Sequence, residues 1–366
     1  MDSLMEHAME ERKGRHLSFW KMEERDRPMV IMSRQRPVDN EEDKYLLALK
    51  QTDLTRYWSD PDVLMLRARR NMARQECLGD SLPSVRVPLG PLMLSAFLGS
   101  EVEFQPDTVW FHPCTDKLDD LKDLKLDPDN RWWHLVEDCC LRMAQERTTI
   151  PVVPDLGGIG DNLAAMVGAD VLMLEMIERP ELVKQVIRRM LDIMKSCYDR
   201  IYRIIGSSGN GTSTWLGLWS PGRTGILQND LSIMLSTGMY KEFFQEEFNE
   251  MCDFYDYTVF HLDGTRSQQH LDSFLLDLKG LDGVQVGSDP GTRAMEVLPS
   301  LKLIQSRGKR IYTYVFQDEV DELFSVLSPR GICATTGIAA DSEADDFISR
   351  LLTAGKGGIS DDETKK

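Results

Sequence analysis

The chain has 366 residues and a formal net charge of −17, with 42% hydrophobic and 28% charged residues. That composition suits a soluble globular protein with a large core, and an acidic surface that repels phosphate backbones and anionic lipids argues against nucleic-acid and membrane partners. No apolar run approaches the roughly 20 residues of a membrane span, Met1 to Arg15 lacks the apolar core of a signal peptide, and seven cysteines follow no disulfide spacing, so a cytoplasmic protein is expected.

The first 80 residues are charged and helical in pattern, over Met5 to Trp20, Asp39 to Leu49 and Pro61 to Leu78, with a strand at Pro28 to Met32. From residue 80, short apolar runs alternate with longer amphipathic segments. Strands are predicted at Ser84 to Leu89, Thr108 to Phe111, Thr148 to Leu156, Thr212 to Leu218, Thr258 to Leu262, Gly283 to Val286, Lys309 to Val315 and Gly331 to Thr335. Helices are predicted at Asp161 to Gly168, Glu178 to Ile205, Ser236 to Tyr255, Gln268 to Leu278, Met295 to Ser306, Gln317 to Leu327 and Ala344 to Ala354. The helix from Glu178 repeats apolar residues at helical spacing, and Pro180 sits in its first turn, where proline is tolerated.

Strand and helix alternating over one long domain predict an α/β fold with a parallel sheet, and eight such units favour a closed (β/α)8 TIM barrel. The expected organisation is an N-terminal helical extension over 1–80, a catalytic barrel over 81–358 and a polar tail over 359–366. Neither GxGxxG after the first strand nor GxxxxGK[ST] occurs, which weighs against the common nucleotide folds.

A barrel presents its chemistry at the C-terminal ends of its strands. Those positions give Asp155, Trp215 or Trp219, His261, Asp263, Gln285, Tyr312 or Tyr314, and Cys333. His261 and Asp263 lie two apart at the end of the β-branched run Thr258-Val259-Phe260, so they share a face; Gly264 then frees the backbone to turn. They read as a metal ligand with a carboxylate or as an acid/base pair, against a histidine satisfied by its neighbour. Asp155 precedes a glycine-rich turn and reads equally as a turn aspartate. Cys333, inside Ile332-Cys333-Ala334, reads as an inert buried thiol or as a thiolate ligand beside His261. His270 reads as packing, His112-Pro113-Cys114 as a loop, the pair Cys139-Cys140 as buried thiols, and Arg34 and Arg36 as solvated cations or carboxylate binders. Nineteen methionines suit adaptable packing around an apolar cavity.

Four segments together carry a resemblance: VFHLDGTRSQQHLDSFLLDLKGLDGVQVGSDPG from residue 259, VPDLGGIGDNLAAMVGADVLMLEMIERPELV from 153, TSTWLGLWS from 212 and SAFLGSEVEFQPDTVW from 95. Over most of 15–355 the chain resembles the uroporphyrinogen decarboxylase-like superfamily. The resemblance implies a (β/α)8 barrel with a cleft at its C-terminal face, and a homodimer. The decarboxylase branch carries an arginine-rich signature ending in Gly-Arg-Tyr, and MVIMSRQRPVDN has Arg34 and Arg36 without it. The chain is nearer the corrinoid-dependent methyltransferase branch, whose signature is His-x-Cys after the fifth strand plus a later cysteine. His261 and Cys333 match two of those positions, and Asp263 stands at the third.

That resemblance implies a methyltransferase moving a methyl group between a small substrate and a corrinoid protein or thiol. Zinc would be held by His261 and Cys333, Asp263 would serve as ligand or acid/base, and Asp155, Trp215, Gln285 and Tyr314 would shape the site. The corrinoid would come on a partner protein, since no Asp-x-His-x-x-Gly occurs. Two other readings stay open: a cofactor-free decarboxylase or lyase using Asp155, His261 and Asp263 on a small carboxylate, and a non-catalytic ligand-binding barrel.

Overall fold

The computed structural model describes residues 3–23, 27–36, 40–88, 90–146, 148–287, 289, 291–338 and 343–354. Its strands are β1 Met29–Gln35, β2 Gln75–Gly79, β3 Ser84–Val85, β4 Glu101–Phe104, β5 Val109–His112, β6 Ile150–Pro151, β7 Thr212–Ser213, β8 Trp219–Ser220, β9 Thr224–Gln228, β10 Tyr257–His261, β11 Gly283–Val286, β12 Arg310–Tyr314 and β13 Ile332–Ile338. The fold is mixed α/β. Among the described residues one seven-stranded sheet runs β2-β1-β13-β12-β11-β10-β9, parallel throughout except for antiparallel β2. A second parallel pair joins β3 to β6, and Val152 bridges to Ser213 of β7. Asp80 N–H donates to the Val30 carbonyl at 2.7 Å and Met32 N–H to Ser81 Oγ at 2.8 Å, which ties β1 to the segment leading into β3.

Helices cover this sheet for the reason their periodicity suggests. Pro180–Gly206 buries Val183, Val186, Ile187, Met190, Met194, Ile201 and Ile205 on one stripe, the mark of a crossover helix packed on a parallel sheet. Thr237–Phe254 starts where Ser236 Oγ accepts from Met239 N–H at 3.2 Å, an N-cap of the ordinary kind. Helix Ser3–Trp20 places Phe19 and Trp20 in a cluster with Met29, Ile31, Tyr312 and Cys333. No helix among the described residues is long and apolar enough to cross a membrane.

Several expectations shift. The helix from Pro61 stops at Ala73, and Gln75–Gly79 turns into an edge strand against β1. The run at Thr108 forms a strand, but it pairs antiparallel with Glu101–Phe104 outside the main sheet. The sheet instead takes in Met29–Gln35 and the unexpected strand Thr224–Gln228. Gln268 to Leu278 is two 3-10 turns, Arg266–His270 and Leu275–Asp277, rather than an α-helix. Side chains take over the backbone there. Ser267 Oγ donates to the Gly264 carbonyl at 2.8 Å, while His270 is fully buried between Thr237 Oγ1 and the Ser232 carbonyl, each at 3.0 Å. Leu89, Asp39 and the polar tail from Asp361 lie outside the described residues.

Candidate active site

Three parallel strands end beside one another at the centre of the site. In register, Gln228 of β9 faces His261 of β10, and His261 faces Gln285 of β11. After His261 the chain turns at Gly264, whose φ of +70° a side chain would strain. After Gln228 it turns through Asn229 into the 3-10 helix Asp230–Met234. These two turns bring Asp230, His261 and Asp263 together, each offering an atom within 4.8 Å of the others'.

His261 is held from behind. Its Nδ1 lies 2.6 Å from Gln285 Oε1, an acceptor, so Nδ1 carries a proton, and the ring when neutral presents its lone pair at Nε2. Nε2 lies 3.7 Å from Asp263 Oδ1. The Trp215 ring meets the imidazole edge-on, at 5.0 Å between centroids and 84° between planes. The Gln285 side chain and Trp215 packing therefore fix the ring while one nitrogen stays available.

The charge around this histidine is mostly negative. Asp230 is the most exposed of the three as a residue. Enough protein nevertheless surrounds its carboxylate that desolvation raises its pKa; the Asp263 charge adds to this and His261 opposes it. Asp155 is half-buried and is also raised by burial, with the Gly157 N–H, Arg86 and His261 pulling the other way. Its Oδ1 accepts from Gly157 N–H at 2.9 Å, so it is a turn aspartate as well as a site residue. Asp161 lies behind Asp230, accepting from Leu231 N–H at 3.0 Å; burial, then the Asp230 charge, pushes it up to about 7. Gly158 makes that contact possible: a Cβ there would sit 2.1 Å from the Gln228 carbonyl oxygen. Carboxylates gathered this closely are compensated by protons or by a cation.

A cavity of about 610 Å³ adjoins this cluster, with Asp155 and Trp215 on its wall together with Ile31, Met32, Arg86 and Thr214. Its remaining lining comes from β1, the β3 region and the β13 end, and as much again from helix Pro61–Ala73, β2 and the segments around 90 and 108. Asp155 and Trp215 therefore belong to both the cavity and the surroundings of His261.

The other expected residues fall differently. Gln285 is buried and serves His261 directly. Tyr314 ends β12 with 37% of its surface exposed, edge-on to Tyr312 and away from the cavity wall. Tyr312 OH is spent on the Leu216 carbonyl at 2.9 Å. Cys333 shares a register row with His261, through Gln285 and Tyr312. Three strand spacings separate the two, roughly 14 Å across a sheet. Because β13 continues to Ile338, Cys333 stands near its start rather than at its C-terminal end. It is fully buried among Phe19, Met29, Ile31 and Tyr312, and burial pushes its thiol well up. The structure thus joins Asp230 to the His261–Asp263 pair and keeps Cys333 apart. Trp219 N–H donates to His16 and its indole to the Asn210 carbonyl at 2.8 Å, so it is structural. Arg34 pairs with Asp345 and Arg36 with Glu76, leaving neither aimed at the cavity. Exposed His112 pairs with Glu103, and the thiols of Cys139 and Cys140 are buried.

Asp230 and Arg86 escaped the sequence reading. Asp230 follows the short apolar run Ile226-Leu227 as Asp263 follows Val259-Phe260, and that parallel was the available signal. Arg86 lies in Val85-Arg86-Val87, where alternation puts it on the opposite face from two apolar neighbours.

No protein-family model matches the chain, and no curated protein matches it. Among solved structures, it is similar to one titled "methyltransferase from Methanosarcina mazei", with a TM-score of 0.60, 15% sequence identity, and coverage of 94% of this chain and 98% of that one. At that identity the likeness is one of fold.

Proposed function

We propose that the protein is a methyltransferase acting on a small substrate held in the cavity, with a corrinoid protein or a thiol as the second participant. The observation that carries this is the grouping of Asp230, His261 and Asp263 beside that cavity; the fold likeness to a structure titled methyltransferase supports it at low identity. Under this reading the two parallel strand sets are arcs of one (β/α)8 barrel, and the cluster sits at its C-terminal mouth.

The donor set fits zinc. One imidazole nitrogen and two carboxylates are accepted zinc ligands, and they leave a position open. Donors around a tetrahedral zinc lie roughly 3–3.5 Å apart, so atoms within 4.8 Å need small side-chain rotations to close on it. Bound zinc would supply Lewis acidity toward the leaving oxygen or sulfur of a methyl donor, or hold an acceptor thiol as thiolate. This ligand set places Asp230 where the sequence suggested Cys333. Gln285 fixes the tautomer that leaves Nε2 free. Asp155, raised by burial, is suited to holding a proton near the substrate, and Trp215 shields the imidazole from water.

The test is a metal analysis of the purified protein, then zinc-loaded protein incubated with methylated small molecules and reduced corrinoid, read as methylcobalamin absorbance. Stoichiometric zinc and methyl transfer, both lost in His261→Ala, are expected. Carbon dioxide released from a small carboxylate by metal-free protein, with no methyl transfer, would replace this reading with the decarboxylase one.

A further inference from the structure

The cavity wall carries hydrogen-bond donors that the protein does not use. Arg86 makes no hydrogen bond or ion pair among the described residues; the electrostatic neighbour it has is Asp155, not close enough to bond. Thr214 is 4% exposed and its hydroxyl has no partner. The buried indole N–H of Trp215 has none either. All three residues line the same cavity. A guanidinium and an indole N–H can only donate, and a hydroxyl can do so. Arg86 is exposed as a residue, so its guanidinium meets water in the cavity. The Thr214 hydroxyl and Trp215 N–H are buried without partners, at a cost on the order of 1–3 kcal/mol each, and the three together favour a ligand rich in acceptors.

The rest of the wall narrows the class. Trp58, Met72 and Val109 stand on it, with Ile31 and Met32 from β1, facing neutral polar groups such as Asn71, Ser84 and Thr336, so a ligand would meet an apolar and a polar side. Asp107, the other carboxylate on this wall, is paired with Lys50. The cations that the sequence offered for a carboxylate, Arg34 and Arg36, are committed to Asp345 and Glu76. Arg86 is the arginine lining the cavity.

We propose that the cavity takes an amphipathic organic anion, a carboxylate on a flat apolar body, and that Arg86 binds its carboxylate with Thr214 and Trp215 as additional donors. This rests on the reading that the cavity and the His261 cluster form one active site. The apolar body then spans from Arg86 past Trp215 toward His261. Guanidinium pairs with carboxylate through two parallel charge-assisted hydrogen bonds. Asp155 beside the guanidinium disfavours a second anionic group in that corner, so a monocarboxylate fits better than a dicarboxylate.

The full chain is titrated by calorimetry with 2-naphthoate and, separately, with the neutral 2-naphthamide, in the wild type, Arg86→Gln and Arg86→Lys. The wild type is expected to bind the carboxylate at least tenfold more tightly than the amide. Arg86→Gln should erase that preference while leaving the amide affinity within about twofold, which a misfolded variant would not; Arg86→Lys should keep part of it. Equal affinity for the two probes, no binding of either, or an undiminished preference in Arg86→Gln overturns the proposal. Binding needs neither zinc nor turnover, so the two readings fail separately. An Arg86-dependent carboxylate preference in a protein that transfers no methyl group keeps this inference and removes the methyltransferase. Methyl transfer without the preference does the reverse.

Discussion

His16 and His261 show what the two ends of this sheet are for. His16, fully buried near the start of β1, has both ring nitrogens occupied by backbone: Nε2 lies 3.0 Å from the Asp80 carbonyl and Nδ1 accepts from Trp219 N–H at 3.1 Å. It is locked as the neutral Nε2–H tautomer, and burial holds its pKa at about 4. His261, at the end of β10, has one nitrogen bound by Gln285 and the other turned toward carboxylates. Both rings are oriented by the protein. One is saturated and ties helix Ser3–Trp20 to the turn at Asp80 and to β8; the other, when neutral, keeps a lone pair among polar groups beside a cavity. An imidazole becomes chemically useful when exactly one nitrogen is spent on holding it in place, and that difference generates the predictions.

The largest effect should come from emptying the open end. His261→Ala is expected to lower methyl transfer on the order of a thousandfold and to remove bound zinc, with a stability loss of about 1–3 kcal/mol from the orphaned Gln285 amide. Metal content by mass spectrometry and turnover are measured together. Zinc retained at full stoichiometry would show that the ligands lie elsewhere.

The closed end should respond in stability instead. His16 has a folded pKa of about 4 against about 6.5 unfolded. The unfolded chain therefore binds the proton first as pH falls. This contribution to stability is complete above about 6.5 and is lost as pH drops toward 4, on the order of 3 kcal/mol in all. Denaturant melts of the wild type at pH 7.5, 6 and 5 should fall along that window, and His16→Gln, weaker at pH 7.5, should fall less steeply. Parallel curves would mean that His16 is not the group titrating.

Gln285→Leu joins the two ends of the comparison, since it frees the second nitrogen of His261 without adding the backbone bonds of His16. Orienting partners of metal-ligating histidines are typically worth 10–100-fold in affinity or activity. Zinc affinity by competition with a chelator should weaken by that range, with the amount bound at saturation unchanged. An unaltered affinity would mean that Trp215 packing alone orients the ring.

How much of this was legible follows the same division. The β-branched strand ending at His261 and the run Gly283–Val286 read plainly, as did the helix from Pro180, because their signals are local. Strand Thr224–Gln228 was hidden by Gly225, a residue that weakens a strand pattern. Its reason is tertiary: a Cβ there would lie 2.1 Å from the Tyr255 ring. With that strand unread, Asp230 had no strand end to stand on. Tyr314 does end its strand, whereas Tyr312 stands inside β12 and Asp155 four residues beyond β6; which side chains turn toward the cavity depends on how the segments after the strands fold. Arg86 was passed over because a charge between two valines reads as a solvated strand face, and the cavity that receives it is assembled from distant segments.

Cys333 gives the smallest effect and tests the comparison most sharply. The residue was a candidate ligand because a strand ending at Thr335 would carry its thiol toward the mouth. The strand runs three residues further, so Cys333 does not end it; the residue lies in the row of His261 but three strands away, fully buried with Ile31 and Tyr312. Buried apolar surroundings favour the thiol over the thiolate that zinc needs. Cys333→Ala should therefore retain full zinc and near-native transfer, and lose about 1–2 kcal/mol of stability from the small cavity left behind. Loss of zinc with stability intact would carry the thiol into the site after all and make Asp230 the bystander. Loss of stability with zinc intact would leave Cys333 with His16, among the residues that hold the sheet closed so that His261 can stay open.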